Sequence, residues 1–281
     1  MPPLMAHAGG HGVQLGFVGG AAAWGGGSIV VTQFAAHTVS RLSAPESEGW
    51  HHTGGPTLAL IAGRHGHAGG QPRATKEGEE NFFGPQGVAW VRGGGLAVAS
   101  SIEGRVHILS GPAPPRVWVP SHTNSGIYGP GSACSTRGGL VVVAQGAGGK
   151  AMRGPPHSGP LSCGRPEVRA GAPADGSSDC RHWFQVTLLG GGHVGAVGAL
   201  PGGGVVALGT GAVFIIPAAM LLSAAMGGGP TTPEVKTAGA RRPMQPTPIA
   251  VGSGRLAVFT DLDEHAGCVA ARLLDIHTGG V

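Results

Sequence analysis

Charged and aromatic residues are both scarce in this chain of 281 residues. Asp, Glu, Lys and Arg make up 11% of the sequence, and Phe, Trp and Tyr make up 5%. The longest basic run is the pair Arg241-Arg242, which is too short to cover a stretch of phosphates, and aromatic side chains are too few to stack on successive bases. The formal net charge of +4 therefore reflects a shortage of acids, and no nucleic-acid partner is expected.

Cysteines and targeting segments are also sparse. The four cysteines show no CxxC spacing, which excludes the usual zinc fingers. Cys163 and Cys180 fall in one predicted loop and would pair only in an oxidising compartment, so free thiols are expected.

No basic segment precedes an apolar run at the N-terminus, so neither a signal peptide nor a transit peptide is predicted and an intracellular location is favoured. Pro217 interrupts the apolar stretch 213–226, which is shorter than the roughly 20 residues of a spanning helix, so membrane contact is not expected.

Glycine, by contrast, is abundant and is placed between apolar runs. The chain has 56 glycines without the Gly-X-Y period of collagen. Residues 87–100 read as two apolar strands around a glycine turn, and residues 104–109 read as a third strand. This pattern predicts an antiparallel meander, because tight hairpin turns need the positive φ that glycine adopts easily.

The same phrase recurs five times along the chain. The residue that follows each glycine turn is Ile29, Leu96, Leu140, Val205 or Leu256. The 44 residues from Leu96 to Leu140 lie within the range of about 40–50 for a propeller blade. We therefore predict an all-β fold: a β-propeller of five or six four-stranded blades, forming a single domain over residues 1–281.

Long Gly/Pro-rich or polar segments separate the copies. They predict loops at 43–56, 64–81, 111–120, 150–181 and 227–248. Two further apolar runs, 57–63 and 183–189, predict extra strands. Each would be either the outer strand of the preceding blade or the first strand of the next.

One blade resembles a known family. The segments 60–70, 83–89, 95–99 and Arg105-Val106 together resemble an NHL repeat, well over residues 57–109 and in outline in the other copies. NHL repeats usually place an Asp after the Val-Ala pair. Here Ser100, Gln33, Gln145 and Thr210 occupy that neighbourhood, and only the last copy offers an acid, Asp261. The resemblance implies a divergent NHL-type propeller.

A scaffold without enzymatic activity is the predicted function. Loops on a rigid frame are where recognition usually lies, so we expect a protein or peptide partner on one loop face and no cofactor. Arginine and tryptophan are frequent interface anchors. The candidate binding residues in or beside loops are Arg64, His65, His67, Arg92, Arg105 and Trp118.

A metal-dependent propeller enzyme, of lyase or of lactonase/hydrolase type, is the alternative. Some propeller enzymes that resemble NHL proteins hold a metal near the central axis with histidines from several blades. One divalent ion, zinc or calcium, would then be bound by residues among His65, His67, His122, His193 and Asp261. The GxSxG and HExxH signatures of common hydrolases are absent from the sequence.

Overall fold

The computed structural model defines a set of regular elements connected by segments outside its description. The described residues are 15, 18–25, 27–43, 56–63, 82–91, 95–102, 105–110, 113–118, 130–145, 158–164, 184–189, 194–209, 212–225, 234–236, 250–252, 256–263 and 268–275. Within them the chain forms nineteen strands and one helix.

The strands form five antiparallel sheets in chain order, and each strand pairs with the next one along the chain. The first sheet contains β1 (Val18–Gly25), β2 (Ser28–Gln33), β3 (Thr38–Ser43) and β4 (Thr57–Gly63). The second contains β5 (Pro85–Val91), β6 (Gly95–Ser100), β7 (Arg105–Ser110) and β8 (Ala113–Trp118). The third contains β9 (Pro130–Ser135), β10 (Val141–Gln145), β11 (Ser158–Gly164) and β12 (Phe184–Leu189).

The last two sheets continue the pattern. The fourth contains β13 (Val194–Ala199), β14 (Val205–Gly209), β15 (Ala212–Ile216) and β16 (Glu234–Lys236), and the helix α1 (Ala218–Ala225) lies between β15 and β16 in the chain. The fifth has three strands in the described part: β17 (Ala250–Gly252), β18 (Leu256–Asp263) and β19 (Cys268–Asp275). No helix among the described residues is long and apolar enough to cross a membrane.

In three of the five sheets the described first hairpin turns on a glycine, as the sequence predicts. Gly27, Gly139 and Gly203 each follow a first strand and have φ of 74°, 77° and 85°, where a side chain would be strained. Two of these turns share one hydrogen-bond pattern. Thr136 N–H donates to Leu140 O at 2.8 Å, and Leu200 N–H donates to Gly204 O at 2.9 Å. The repeated sequence phrase therefore encodes a repeated backbone turn.

The first strands of neighbouring sheets lie side by side. In β1 and β5, Gly20 lies against Gln86 and Ala23 accepts a hydrogen bond from the Trp90 indole, so the two strands run in the same direction. The contacts continue from β5 to β9, where Gly87 lies against Ser132. Five successive meanders with adjacent first strands are the architecture of a β-propeller, which confirms the predicted fold class.

Both faces of the second sheet are buried between its neighbours. In β6, Val98 packs towards the first sheet in a cluster with Val30 and Val39, whereas Ala97 and Ala99 pack towards β10 in the third. A third cluster lies between the third and fourth sheets and contains the fully buried Phe214 and Ile216. Each repeat therefore needs its neighbours to bury apolar surface, as expected of repeat architectures.

Three of the predicted loops contain strands, so their extents need correction. The loop 111–120 contains β8, the loop 150–181 contains β11, and the loop 227–248 contains β16. Their Pro- and Gly-rich sequences have low strand propensity, but each segment pairs with a preceding apolar strand of its own sheet. The two predicted extra strands, 57–63 and 183–189, correspond to β4 and β12. Each is the last strand of the preceding blade rather than the first strand of the next. The interiors of the predicted loops 43–56 and 64–81 lie outside the described residues.

Candidate binding face

A cluster of aromatic and apolar side chains lies where the first and second sheets meet. Three segments form it: the turn Phe34–His37 between β2 and β3, the segment Phe82–Gly84 before β5, and Ser101-Ile102 after β6. We name the side chains of Phe34, His37, Phe83 and Ile102 around Gly84 the Phe83 platform.

Serine hydroxyls and backbone amides fix the segment Phe82–Gly84 to the end of β6. Phe83 N–H donates to Ser100 Oγ at 3.1 Å, and the same hydroxyl donates to Phe83 O at 3.0 Å. The Ser101 amide and hydroxyl both donate to Gly84 O, each at 2.9 Å, and Ile102 N–H donates to Phe83 O at 3.2 Å. The single hydroxyl of Ser100 thus bonds both the amide and the carbonyl of Phe83 and fixes this turn.

His37 links the first sheet to the same segment. Its Nδ1 accepts a hydrogen bond from Gly84 N–H at 3.2 Å, and its ring stacks on Phe83 with centroids 5.4 Å apart. Because Nδ1 is an acceptor, the hydrogen-bond geometry assigns the proton of the neutral ring to Nε2. His37 has a φ of 59°, a left-handed conformation that is uncommon for a residue other than glycine. The interactions with Gly84 and Phe83 hold this conformation in place.

Gly84 allows two apolar side chains to meet above it. Its φ is 71°, and a Cβ placed on it would lie 2.7 Å from Phe34 Cε2 and 2.9 Å from Ile102 Cδ1. Phe34, His37 and Phe83 are half-buried, and Ile102 is 51% exposed. Ile102 is thus exposed beside the half-buried ring of Phe34.

Phe82 supports the platform from below. It is completely buried and meets His107 edge to face, with ring centroids 5.0 Å apart. It packs with Val30, Val88 and Leu96 in the core between the first two sheets. The segment that carries Phe83 and Gly84 is therefore anchored in this core by Phe82.

Removal of the Ser100 hydroxyl tests how the platform is held. Ser100→Ala is expected to lower the free energy of unfolding by about 1–2 kcal/mol, because it leaves the Phe83 amide without its partner, whereas Phe83 O keeps its bond from Ile102 N–H. Ser100 is fully buried. Urea denaturation would measure the change.

Ser101→Ala is the matched control for that substitution. Ser101 Oγ and Ser101 N–H bond the same carbonyl, Gly84 O, so the amide bond remains when the hydroxyl is removed. The expected loss is well below that of Ser100→Ala. Equal losses in the two variants would contradict the role assigned to Ser100.

A second aromatic pair joins β1 and β5 at their other ends. The rings of Trp24 and Trp90 are 4.9 Å apart and tilted by 49°. The Trp90 indole N–H donates to Ala23 O, and both rings pack against the core between the first two sheets. We interpret this pair as a structural bridge. The sequence carries a signal for it, since tryptophan recurs shortly before the turn in the first two copies.

Burial disfavours the reactive thiolate form of Cys134. The residue is half-buried, but its side chain packs against the apolar cluster of Leu140, Val142 and Val205, and desolvation raises the pKa of the thiol from 9.0 to about 12. A thiol needs a lowered pKa to react near neutrality. Cys163 lies in β11 with only its backbone described, and Cys180 is outside the described residues.

Most residues predicted from the sequence to form a site fall outside the described part of the chain. These are Arg64, His65, His67, Arg92, His122 and His193. Arg105, Trp118 and Asp261 lie in β7, β8 and β18, where the backbone alone is described. Two of these nine predicted site residues adjoin described residues near the platform. Arg64 follows Gly63, whose added Cβ would touch His37 O, and Arg105 pairs with Ser100.

The four platform residues were not predicted from the sequence. The available signal was an apolar residue in a turn, Ile102 within Ser-Ser-Ile-Glu-Gly. Among the side chains that the structure describes, no group of three or more His, Cys, Asp or Glu residues is arranged to hold a metal ion.

The comparisons with known proteins concern the fold. No protein-family model and no curated protein sequence matches the chain, so the NHL resemblance stays a prediction. PorZ, described as a bacterial surface component of the type-IX secretion system of Porphyromonas gingivalis, is 12% identical with a TM-score of 0.51. The match covers 91% of this chain and 32% of that one.

Two further solved structures cover more of their own length. Virginiamycin B lyase from Staphylococcus aureus is 11% identical with a TM-score of 0.47, over 91% of this chain and 83% of that one. YCF48 bound to D1 peptide is 12% identical with a TM-score of 0.44, over 89% and 65%. At these identities the similarity shows a fold in common with β-propeller proteins, and nothing about activity.

Proposed function

We propose that this β-propeller is a scaffold without enzymatic activity that binds a protein or peptide through the Phe83 platform. The observation that carries the proposal is Ile102, an isoleucine 51% exposed beside aromatic rings whose backbone is fixed by Ser100 and His37. A preformed surface binds more tightly than a mobile one, because less conformational entropy is lost on association.

The chemistry of the platform indicates the kind of partner. Phe34, Phe83 and Ile102 would accept an apolar or aromatic anchor, and the Nε2–H of His37 would donate a hydrogen bond to a backbone or side-chain oxygen. We therefore expect a segment with an apolar or aromatic centre. The binding roles of Arg64 and Arg105 stay predictions from the sequence.

Photo-crosslinking of the full chain tests this proposal. A benzoylphenylalanine at Ala35, an exposed residue of the platform turn, is expected to capture the partner from the native lysate. In the same background, Ile102→Asp should reduce the captured amount at least tenfold, corresponding to about 1.4 kcal/mol.

Leu222→Asp is the control for that loss. Leu222 is 49% exposed but lies on α1, between β15 and β16 in the chain, so it matches Ile102 in exposure and belongs to no segment of the platform. Capture that survives Ile102→Asp, or that Leu222→Asp abolishes equally, would contradict the proposal. Elemental analysis of the same dialysed protein addresses the enzyme alternative: about one zinc or calcium ion per chain would favour it.

A further inference from the structure

The first strands of four sheets share one irregularity at the same point. In β1, β5, β9 and β13 the pairing with the second strand of the sheet skips the second residue of the first strand. Such a β-bulge re-aims a side chain and is common beside functional sites. The bulged residues are Gly19, Gln86, Gly131 and Gly195. Gln86 is therefore the one bulged residue of the four that carries a side chain.

The main chain of Gln86 is held between the first two sheets. A Cβ placed on Gly19 would lie 2.7 Å from Gln86 Cα, so the first bulge lies directly against the second. Gln86 O accepts a hydrogen bond from the Thr32 hydroxyl at 2.7 Å. The packing of β1 against β5 thus fixes the point from which the Gln86 side chain starts.

The side-chain amide of Gln86 retains its hydrogen-bonding capacity. The residue is half-buried, and in the part of the chain that the structure describes its only hydrogen bond is the one that its main-chain oxygen accepts. The buried Gln33 differs, because its Nε2 donates to Thr38 Oγ1 at 3.3 Å and to Ser40 Oγ at 3.4 Å. Gln33 is thus a structural residue, whereas Gln86 keeps two donors and an acceptor for a ligand.

Gln86 lies beside the Phe83 platform. It follows Gly84 by two residues, which separates the two Cα atoms by at most about 7 Å. An extended peptide advances about 3.3 Å per residue, so two of its residues cover the same distance. A ligand side chain anchored on Ile102 above Gly84 therefore brings the main chain of the same ligand within reach of Gln86.

We propose that Gln86 recognises the main chain of an extended peptide bound on the Phe83 platform, with its carboxamide paired to one peptide group of that ligand. A carboxamide has the same C=O acceptor and N–H donor as a peptide group, so the two can form two hydrogen bonds at once. This inference rests on the proposed function, because it needs a peptide on the platform. The paired ligand residue should tolerate any side chain but not the loss of its main-chain N–H.

A peptide selected on the full chain provides the probe. Random dodecapeptides displayed on phage are selected on the wild-type protein and depleted on Ile102→Asp, and one enriched peptide is synthesised with a fluorophore. Fluorescence anisotropy is expected to show about tenfold weaker binding to Gln86→Gly, as for the loss of one or two hydrogen bonds. Leu222→Asp should bind the peptide as the wild type does.

Gln86→Gly is expected to remain folded, because glycine occupies the other three bulges. Thermal denaturation checks this. If that variant fails to fold, Gln86→Glu decides the question, because it keeps the size of the side chain and removes the N–H donors. It should weaken binding by a similar factor.

N-methylation of the peptide, one main-chain amide at a time, distinguishes a direct contact from a structural effect. At the paired residue it should weaken binding to the wild type by about as much as Gln86→Gly does, and should add no further loss in Gln86→Gly. If every N-methylation adds fully to the effect of Gln86→Gly, the inference is overturned.

Two other results separate this inference from the proposed function. If the folded Gln86 variants bind the peptide as tightly as the wild type, whereas Ile102→Asp does not, the role of Gln86 is overturned and the platform stands. If no selected peptide distinguishes the wild type from Ile102→Asp, the platform itself is overturned, and the role of Gln86 falls with it.

Discussion

Gly20→Ala is expected to destabilise the whole propeller by about 3 kcal/mol. A Cβ on Gly20 would lie 2.3 Å from Gln86 O, a backbone atom of the neighbouring first strand. No side-chain rotation can relieve that clash, so β1 and β5 must move apart. Their separation would also disturb Thr32, whose hydroxyl lies 2.7 Å from Gln86 O, and the core beneath it.

The same substitution at Gly202 controls for the intrinsic effect of glycine replacement. A Cβ on Gly202 would meet no atom within 4 Å, so Gly202→Ala should leave stability close to that of the wild type. Urea denaturation of both variants measures the difference. If Gly20→Ala were as stable as Gly202→Ala, the close packing of first strands described above would be wrong.

Phe82→Ala is expected to cost about 4 kcal/mol of folding free energy, whereas Phe83→Ala should cost much less. Phe82 is fully buried and fills the core between the first two sheets, so its truncation leaves a cavity. The neighbouring Phe83 is half-buried and belongs to the exposed platform.

The two variants should separate stability from binding. Phe83→Ala is expected to stay folded and lose partner capture, because its main-chain bonds to Ser100 do not require the ring. Thermal denaturation and crosslinking yield, measured on both proteins, give the comparison. A Phe83→Ala protein that is as unstable as Phe82→Ala would show that the platform is part of the core and would contradict its assignment as a binding surface.

The parts of the fold that the sequence predicts are those with local signals. Glycine turns between apolar strands are short-range features, and Gly139 and Gly203 adopt the positive φ that the pattern predicts. The strands β8, β11 and β16 were interpreted as loops because proline and glycine lower strand propensity. Pairing with an already formed neighbouring strand outweighs that local preference, and the sequence of one segment does not show this.

The platform could not be predicted for a related reason. Phe34 and Ile102 are 68 positions apart in the chain. They come together over Gly84 because a glycine has no side chain to occupy the space between them. His37 accepts a hydrogen bond from Gly84 N–H, and Ser100 bonds both the amide and the carbonyl of Phe83. Their role depends on the packing of one sheet against the next. Arg64 and Arg105 were predicted from residue type alone, which does not depend on that packing.

Hydrogen–deuterium exchange of the full chain, with and without the partner captured at Ala35, tests the central claim most directly. The account predicts slower exchange in the partner complex at residues 34–37, 82–84 and 101–102, with β14 and α1 unchanged. Protection confined to other segments, or no protection at all, would contradict the assignment of the Phe83 platform as the binding site.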